Sequence, residues 1–478
     1  MIRRRSGRLA AVGATAGLFA LLLPGPVLAH ALNPTYTSRL PLAVYVAGAA
    51  ATVALSFLFV LVRDVRADRP DLSATGHLPP AAIRVGLRLI GIVGWAWIIA
   101  QGVVGGESAG DVATLFLWVY GWVLLAMLSA IVGPVWHFLD PFSTIHDALA
   151  WVVARLGIRP WGLAEYPTAV GRWPAVVGFL VVVWLELILD AGPSVLFIVV
   201  VGYTVLSLAM MAQFGRDEWR SQGDVFSVWF RLLGKLAAYR LVDEDGRVVR
   251  RSFGSGLLEP GFGRADVVVV ALGVGSILYD GLSQTQIWFD LFGLPGLVPA
   301  TGLMLAFLGI VVAAALAVTR TVGVDATAAG LIPIATGYLF AHYLTYVLID
   351  GQRIVIALSD PFQRGWDLIG FAFHEPTGAW LPPGLVWTLQ LAAVVGGHML
   401  GAWGGHVVAA LEAPAELSPR QLRDRQIPLA VVMVALTTLT LWSLGQAIVV
   451  TPDEGQAVAP SSLVVGGGAQ ASTSRIIG

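Results

Sequence analysis

Apolar runs of roughly 20 residues recur along almost the whole chain, and no other feature constrains its fold as tightly. An α-helix needs a run of that length to cross a hydrocarbon core about 30 Å thick. Ten such runs fall near residues 43–62, 84–103, 112–132, 174–190, 194–213, 265–281, 299–319, 328–349, 385–411 and 427–449. Composition agrees: 57% of the 478 residues are hydrophobic and 12% are charged, against roughly 25% charged in an average soluble protein. The expected fold class is therefore all-α, a polytopic transmembrane helical bundle in a cell membrane. The formal net charge of −1 gives no reason to expect nucleic acid as a partner. The partners expected are the lipid bilayer and a small lipophilic substrate or solute. The chain has no cysteine, which excludes disulfides, thiolate metal sites and a cysteine nucleophile.

Residues 1–29 read as a signal peptide or signal anchor, with Arg3, Arg4, Arg5 and Arg8 ahead of a leucine-rich run and a small-residue site at Val27-Leu28-Ala29. Cleavage there makes His30 the new N-terminus, a residue that offers copper-type ions an amine and an imidazole together. The bundle is expected over 30–450, and the Gly-, Ala- and Ser-rich tail 451–478 reads as disordered. With the mature N-terminus outside, Arg63, Arg66, Arg69, Arg155, Arg159, Arg172, Arg320, Arg420, Arg423 and Arg425 all fall in cytoplasmic connections. The opposite connections hold almost no Lys or Arg apart from Arg353 and Arg364. That asymmetry is the positive-inside pattern, and it puts the mature N-terminus and the tail on the extracytoplasmic side.

The largest cytoplasmic loop, 214–264, carries GDVFSVWFRLLGKLAAYRL. Val225, Val228, Trp229, Leu232 and Leu236 share one helical face, with Arg231, Lys235 and Arg240 elsewhere. Such a helix is expected to lie on an anionic membrane surface. The Asp-Gly of VDEDGRVVRR then signals a small hairpin.

Ionisable groups within the spans gather toward the extracytoplasmic side. Glu186 and Asp190 are four residues apart near the outer end of one helix, and Asp280 ends another. Tyr338, His342, Thr345 and Tyr346 form a stripe at helical spacing, and Asp350, Asp360, Asp367, His374 and Glu375 follow outside. On the next span Gly397, Gly401 and Gly405 recur at i+4, a ridge of small residues that lets another helix come close. His398 and His406 flank that ridge, roughly 12 Å apart along the axis, too far to share one ion. Groups of this kind suit a bound divalent metal, a metal-free acid–base pair, an ion path or axial haem ligation. Two Asp-Pro-Phe segments, at 140–142 and 360–362, suggest helix caps, and His137, His146 and Asp147 lie near the first. Walker and HExxH motifs are absent.

Taken together these segments resemble the bacterial integral-membrane proteins of the fenitrothion hydrolase family. The likeness rests on AHA with LPLAVYVAGAA near the start and DPFST after the third span. It is densest in the C-terminal run with HY, DGQ, SDPFQRGWDLIG, VWTLQ, GH and a second H. The chain departs from that family at the first Asp-Pro segment, where Asn-Pro-Trp-Arg is more usual, and at His-Ala where His-Gly is commoner. The resemblance implies hydrolysis of a phosphorothioate triester with release of a phenol, and it draws attention to His342, Gln352, Asp360, Trp366, Asp367, His398 and His406. The expected site then has His342, His398 and His406 as metal ligands for a divalent ion. Asp360 or Asp367 would serve as ligand or base, and Arg364 would stabilise developing negative charge. A transporter or channel for metal ions, protons or small solutes, and a redox protein with haem between His342 and His398, are the alternatives.

Overall fold

The computed structural model describes residues 42–62, 68–70, 72, 75–104, 111–157, 162–414 and 416–444. The expected signal segment 1–29, His30, Arg63, Arg66, Arg159 and the tail 451–478 lie outside the described residues.

In chain order the helices are α1 (Leu42–Val62), α2 (Ala81–Val104), α3 (Val112–Ile131), α4 (Val135–Leu139), α5 (Pro141–Arg155), α6 (Trp173–Leu187) and α7 (Pro193–Phe214). Next come α8 (Arg216–Gln222), α9 (Val225–Leu233) and a two-stranded antiparallel hairpin, β1 (Tyr239–Leu241) and β2 (Val248–Arg250). The remainder is α10 (Arg264–Ser283), α11 (Gln286–Phe292), α12 (Leu297–Val322), α13 (Val324–Asp350), α14 (Arg353–Ser359), α15 (Pro383–Leu411) and α16 (Pro419–Leu444). Among the described residues eight helices are long and apolar enough to cross a membrane, and α1 and α6 add shorter apolar stretches. The protein is an all-α polytopic bundle, and each expected span falls on one of these helices. The largest displacement is at α16, which begins at Pro419 rather than 427. Hydropathy marks the apolar part of a helix, whereas Arg, Gln and Leu continue it equally well in the polar part.

Burial separates the centre from the periphery. In α10, 83% of the apolar window is buried inside the protein, against 22% in α2 and in α12. The last two therefore present most of their apolar surface outward, as helices facing lipid do. The most extensive helix pairing is that of α13 with α15. A methyl group added at Gly397 would lie 2.5 Å from the Pro333 carbonyl oxygen, and one at Gly401 only 2.4 Å from that of Gly330. The glycine ridge thus seats backbone on backbone, as its spacing predicts.

The segment after α7 departs from expectation. Val225, Val228, Trp229, Leu232 and Leu236 are each at most 2% exposed, but what covers them is protein. Trp229 stacks on Trp122 of α3 with ring centres 6.4 Å apart and meets Phe179 of α6 edge-on at 5.1 Å. Its ring also fills the space above Gly273 of α10, where a methyl would lie 2.5 Å away. So α9 is a plug driven into the end of the bundle, not a helix resting on the membrane surface. The hairpin behind it forms as expected, turning at Gly246 with φ of 91°. The hairpin also ties together the connections at this end. Val248 pairs with His77, the amide of Tyr239 donates to the Val132 carbonyl, and nearby Phe262 donates to Asp325 at the start of α13.

Candidate functional site

Helices α6, α10 and α13 end together at the opposite end of the bundle, around a cavity of about 530 Å³. Its walls carry Glu186, Asp190, Asp280, His342, Tyr343 and Tyr346. Each group arrives by a local device. Glu186 sits in the last turn of α6, and the chain then reverses toward α7 through Asp190, whose φ of 46° places it in the left-handed region. Aspartate tolerates that region better than most residues. The helix ends at Leu187, so the two carboxylates meet the same cavity through the turn and not through a shared helical face. On the far side α3 is wound as a π-helix from Leu115 to Leu124 and presents Trp118 to the cavity. Such i→i+5 segments are rare and concentrate near functional sites. Tyr120, in the same segment, donates to the Gly351 carbonyl at 2.6 Å and pins α3 to the end of α13.

At the heart of the cavity is Asp280. Its Oδ2 accepts from His342 Nε2 at 2.8 Å and from the Tyr343 hydroxyl at 3.2 Å, while Oδ1 accepts from Gln284 Nε2 at 2.6 Å. Three donors on one carboxylate fix its orientation. The bond from Nε2 also sets the imidazole: that nitrogen carries a hydrogen, and Nδ1 is left as the basic atom. The His342 and Asp280 side chains are 19% and 13% exposed, so the pair is sheltered yet reachable. Among the described residues Glu186 forms no hydrogen bond or ion pair, and neither Lys nor Arg lines the cavity.

The other expected site residues lie elsewhere. His398 is fully buried; its Nδ1 donates to the Val394 carbonyl at 2.8 Å and its Nε2 faces the Tyr338 hydroxyl at 3.3 Å. His406 pairs with Gln426 at 2.7 Å and joins α15 to α16. Asp360 closes the turn after α14 by accepting from the amides of Arg364 at 2.8 Å and Gly365 at 2.7 Å. Asp367 accepts from the Ser359 hydroxyl at 2.8 Å and the Ala372 amide at 3.1 Å, bonds that hold its carboxyl below the usual value, the Ala372 amide contributing most. Arg364 donates to the Val104 carbonyl at the end of α2, and the Pro361 carbonyl accepts from Trp97 at 2.9 Å. The 357–370 segment is thus a clasp over α2, with Ser359, Asp360, Arg364 and Asp367 spent on holding that shape. In the first Asp-Pro-Phe segment Asp140 caps α5, accepting from the amides of Phe142 at 2.9 Å and Ser143 at 3.2 Å, and Asp147 is taken by Arg216 at 2.8 Å.

These positions bear on the cofactors considered. Among the described residues no group of three or more His, Asp and Glu side chains is placed to hold a metal ion. His342 and His398 do not face a common gap, because α13 and α15 touch through Gly337 and Gly397, where an added methyl at Gly337 would sit 2.5 Å from the Ala393 carbonyl oxygen. A porphyrin has no room there. Glu186, Asp190 and Asp280 stand among the outer carboxylates in the sequence, but only the fold joins them to His342, and nothing in the sequence singles out Tyr343 or Gln284. Tyr343 is adjacent to His342 and therefore falls off the i, i+4 stripe; only the neighbouring α10 reveals it.

No protein-family model matches the chain, and no curated protein and no solved structure is significantly similar to it. What it does must follow from its own residues.

Proposed function

We propose that this membrane protein is a transporter or channel that binds a cationic solute, or the proton itself, in the acidic cavity at the ends of α6, α10 and α13. One observation carries the reading: three carboxylates and one imidazole converge on a cavity of about 530 Å³ whose described walls hold no Lys or Arg. Ionisable groups in the spanning region are costly and usually mark an ion or proton path. An uncompensated set of carboxylates draws cations toward it and raises their local concentration. Asp280, fixed by three donors, supplies a carboxylate held in one orientation, with the His342 imidazole against it. The arginine-rich loops put this cavity on the extracytoplasmic side of a cell membrane under the positive-inside rule.

The test is flux into proteoliposomes containing the purified protein, followed with a pH-sensitive dye and with inorganic and organic cations. The proposal expects uptake that saturates with one cation and that is strongly weakened in Asp280→Asn and Glu186→Gln. Absence of any cation- or proton-dependent flux in the wild type refutes it.

A second reading has its own support. The pairing of Asp280 with His342 is that of an orienting carboxylate and a general base, the arrangement that activates water for hydrolysis. The likeness to fenitrothion hydrolase-like proteins points the same way, toward a lipophilic organophosphate-type ester and metal-free hydrolysis. It ranks second because no described guanidinium or ammonium lines the cavity to meet the negative charge that grows during attack at phosphorus. Release of a nitrophenol from such a triester by purified protein, lost in His342→Gln, would reverse the order.

A further inference from the structure

The end of the bundle plugged by α9 holds a second cavity, of about 320 Å³, between α9, the hairpin and the start of α4. Its polar character is opposite to that of the first. Arg220, Arg231, Lys235, Arg240 and Arg251 line it, against Asp243, Glu244 and Glu259. The imbalance is sharpest around Glu259, a single carboxylate shared by three cations: Lys235 at 2.5 Å, Arg251 at 2.5 Å and Arg240 at 3.8 Å. The three cationic side chains are only 22%, 10% and 17% exposed. Arg231 stands at the exposed rim, where it donates to the Ser221 carbonyl at 2.7 Å and has no carboxylate within ion-pair distance among the described residues. Sheltered like charges in such excess are unfavourable unless an anion joins them.

Two further observations point to a ligand. Ser129, in the last turns of α3, lines the cavity, is 1% exposed, and its hydroxyl has no hydrogen-bond partner among the described residues. His137 lines it too, and its pKa is pushed down to about 3 by burial first, with Arg220, Arg216 and Arg88 adding to the shift. The remaining walls are apolar, with Trp136, Phe230 and Tyr239 among them.

We propose that this cavity is an anion site for a phosphate group, held by Arg231 at the rim and by Lys235, Arg240 and Arg251 within, with the Ser129 hydroxyl as a further donor. Guanidinium forks match phosphate oxygens two at a time, which suits a group of this charge and size. The phosphate is either a free ion or the headgroup of a phosphomonoester lipid whose chains leave along the apolar wall.

The experiment uses the full chain in nanodiscs of phosphatidylcholine alone or with phosphatidic acid, and reads the melting temperature against inorganic phosphate, with chloride at equal ionic strength as control. A saturable rise with phosphate in phosphatidylcholine assigns a soluble anion; a rise only with phosphatidic acid assigns the lipid. Either result is expected to weaken about tenfold or more in Arg231→Gln and in Arg240→Gln, and to persist in Arg155→Gln, whose guanidinium lies over Trp151 instead. Arg231→Gln is the safer of the two variants, because its guanidinium leaves only a backbone carbonyl unpaired. No response to either probe overturns the proposal, as does a response of equal affinity in wild type, Arg231→Gln and Arg240→Gln.

Discussion

The two cavities sit at opposite ends of one bundle and are built by opposite means. The cavity at the ends of α10 and α13 is acidic and is made by spanning helices that stop together; its charges come from helix ends and a turn. The basic cavity is made by a plug and a hairpin folded back onto the bundle, and its charges come from connections. The first has few internal ion pairs, so its charge is available to a solute. In the second, Glu259 and Asp140 are bonded into the architecture, and only the surplus of cations remains open. Charge at one end is exposed for use, and charge at the other mostly holds the fold.

That contrast is easiest to break through Arg251. Arg251→Gln removes a sheltered partner of Glu259 and two bonds to backbone carbonyls, those of Ala237 at 3.0 Å and Gly234 at 2.5 Å. The expected loss is about 3–5 kcal/mol of stability, read as a lower melting temperature in detergent. A change within 0.5 °C of wild type would mean the basic end is not held by these pairs.

Asp280→Asn is expected to do the reverse: the fold stays, and cation uptake weakens by about 2–4 kcal/mol, or roughly 30-fold or more. Uptake with wild-type affinity in this variant would remove the acidic cavity from the proposal.

A smaller effect distinguishes the ends by pH. His137 titrates near 6.5 when unfolded and at about 3 when folded. The unfolded chain therefore binds the extra proton between those values, and stability falls as pH drops through that window. Wild type should lose more melting temperature between about pH 7 and pH 4.5 than His137→Gln does, and parallel curves would show that His137 is not the group responsible.

The smallest effect is expected at the clasp. Arg364→Gln loses one exposed bond to the Val104 carbonyl, worth about 1 kcal/mol or less, and should leave uptake unchanged. Loss of uptake would extend the site to 357–370 and restore Arg364, Asp360 and Asp367 to it.

Much of this was legible in the sequence. Run length is a one-dimensional property set by bilayer thickness, so the spans and the fold class were fixed before any packing was known. The same holds for local chemistry: the Asp140 cap, the Asp-Gly hairpin and the Gly397–Gly401 ridge depend on neighbours within one turn or on the absence of a side chain. The amphipathic pattern of 225–236 marked an apolar face correctly, yet an apolar face is satisfied equally by lipid or by protein. Only the approach of Trp122, Phe179 and Gly273 decided for protein. The partner of His342 was undecidable in the same way. The sequence reading sets His342 with His398 as metal or haem ligands, but position along an axis says nothing about rotation around it. Helix packing turned His398 toward Tyr338 and His342 toward Asp280. Periodicity and length are carried by the chain itself, whereas which polar groups meet across helices is set by azimuth and register, and those exist only once the bundle has closed.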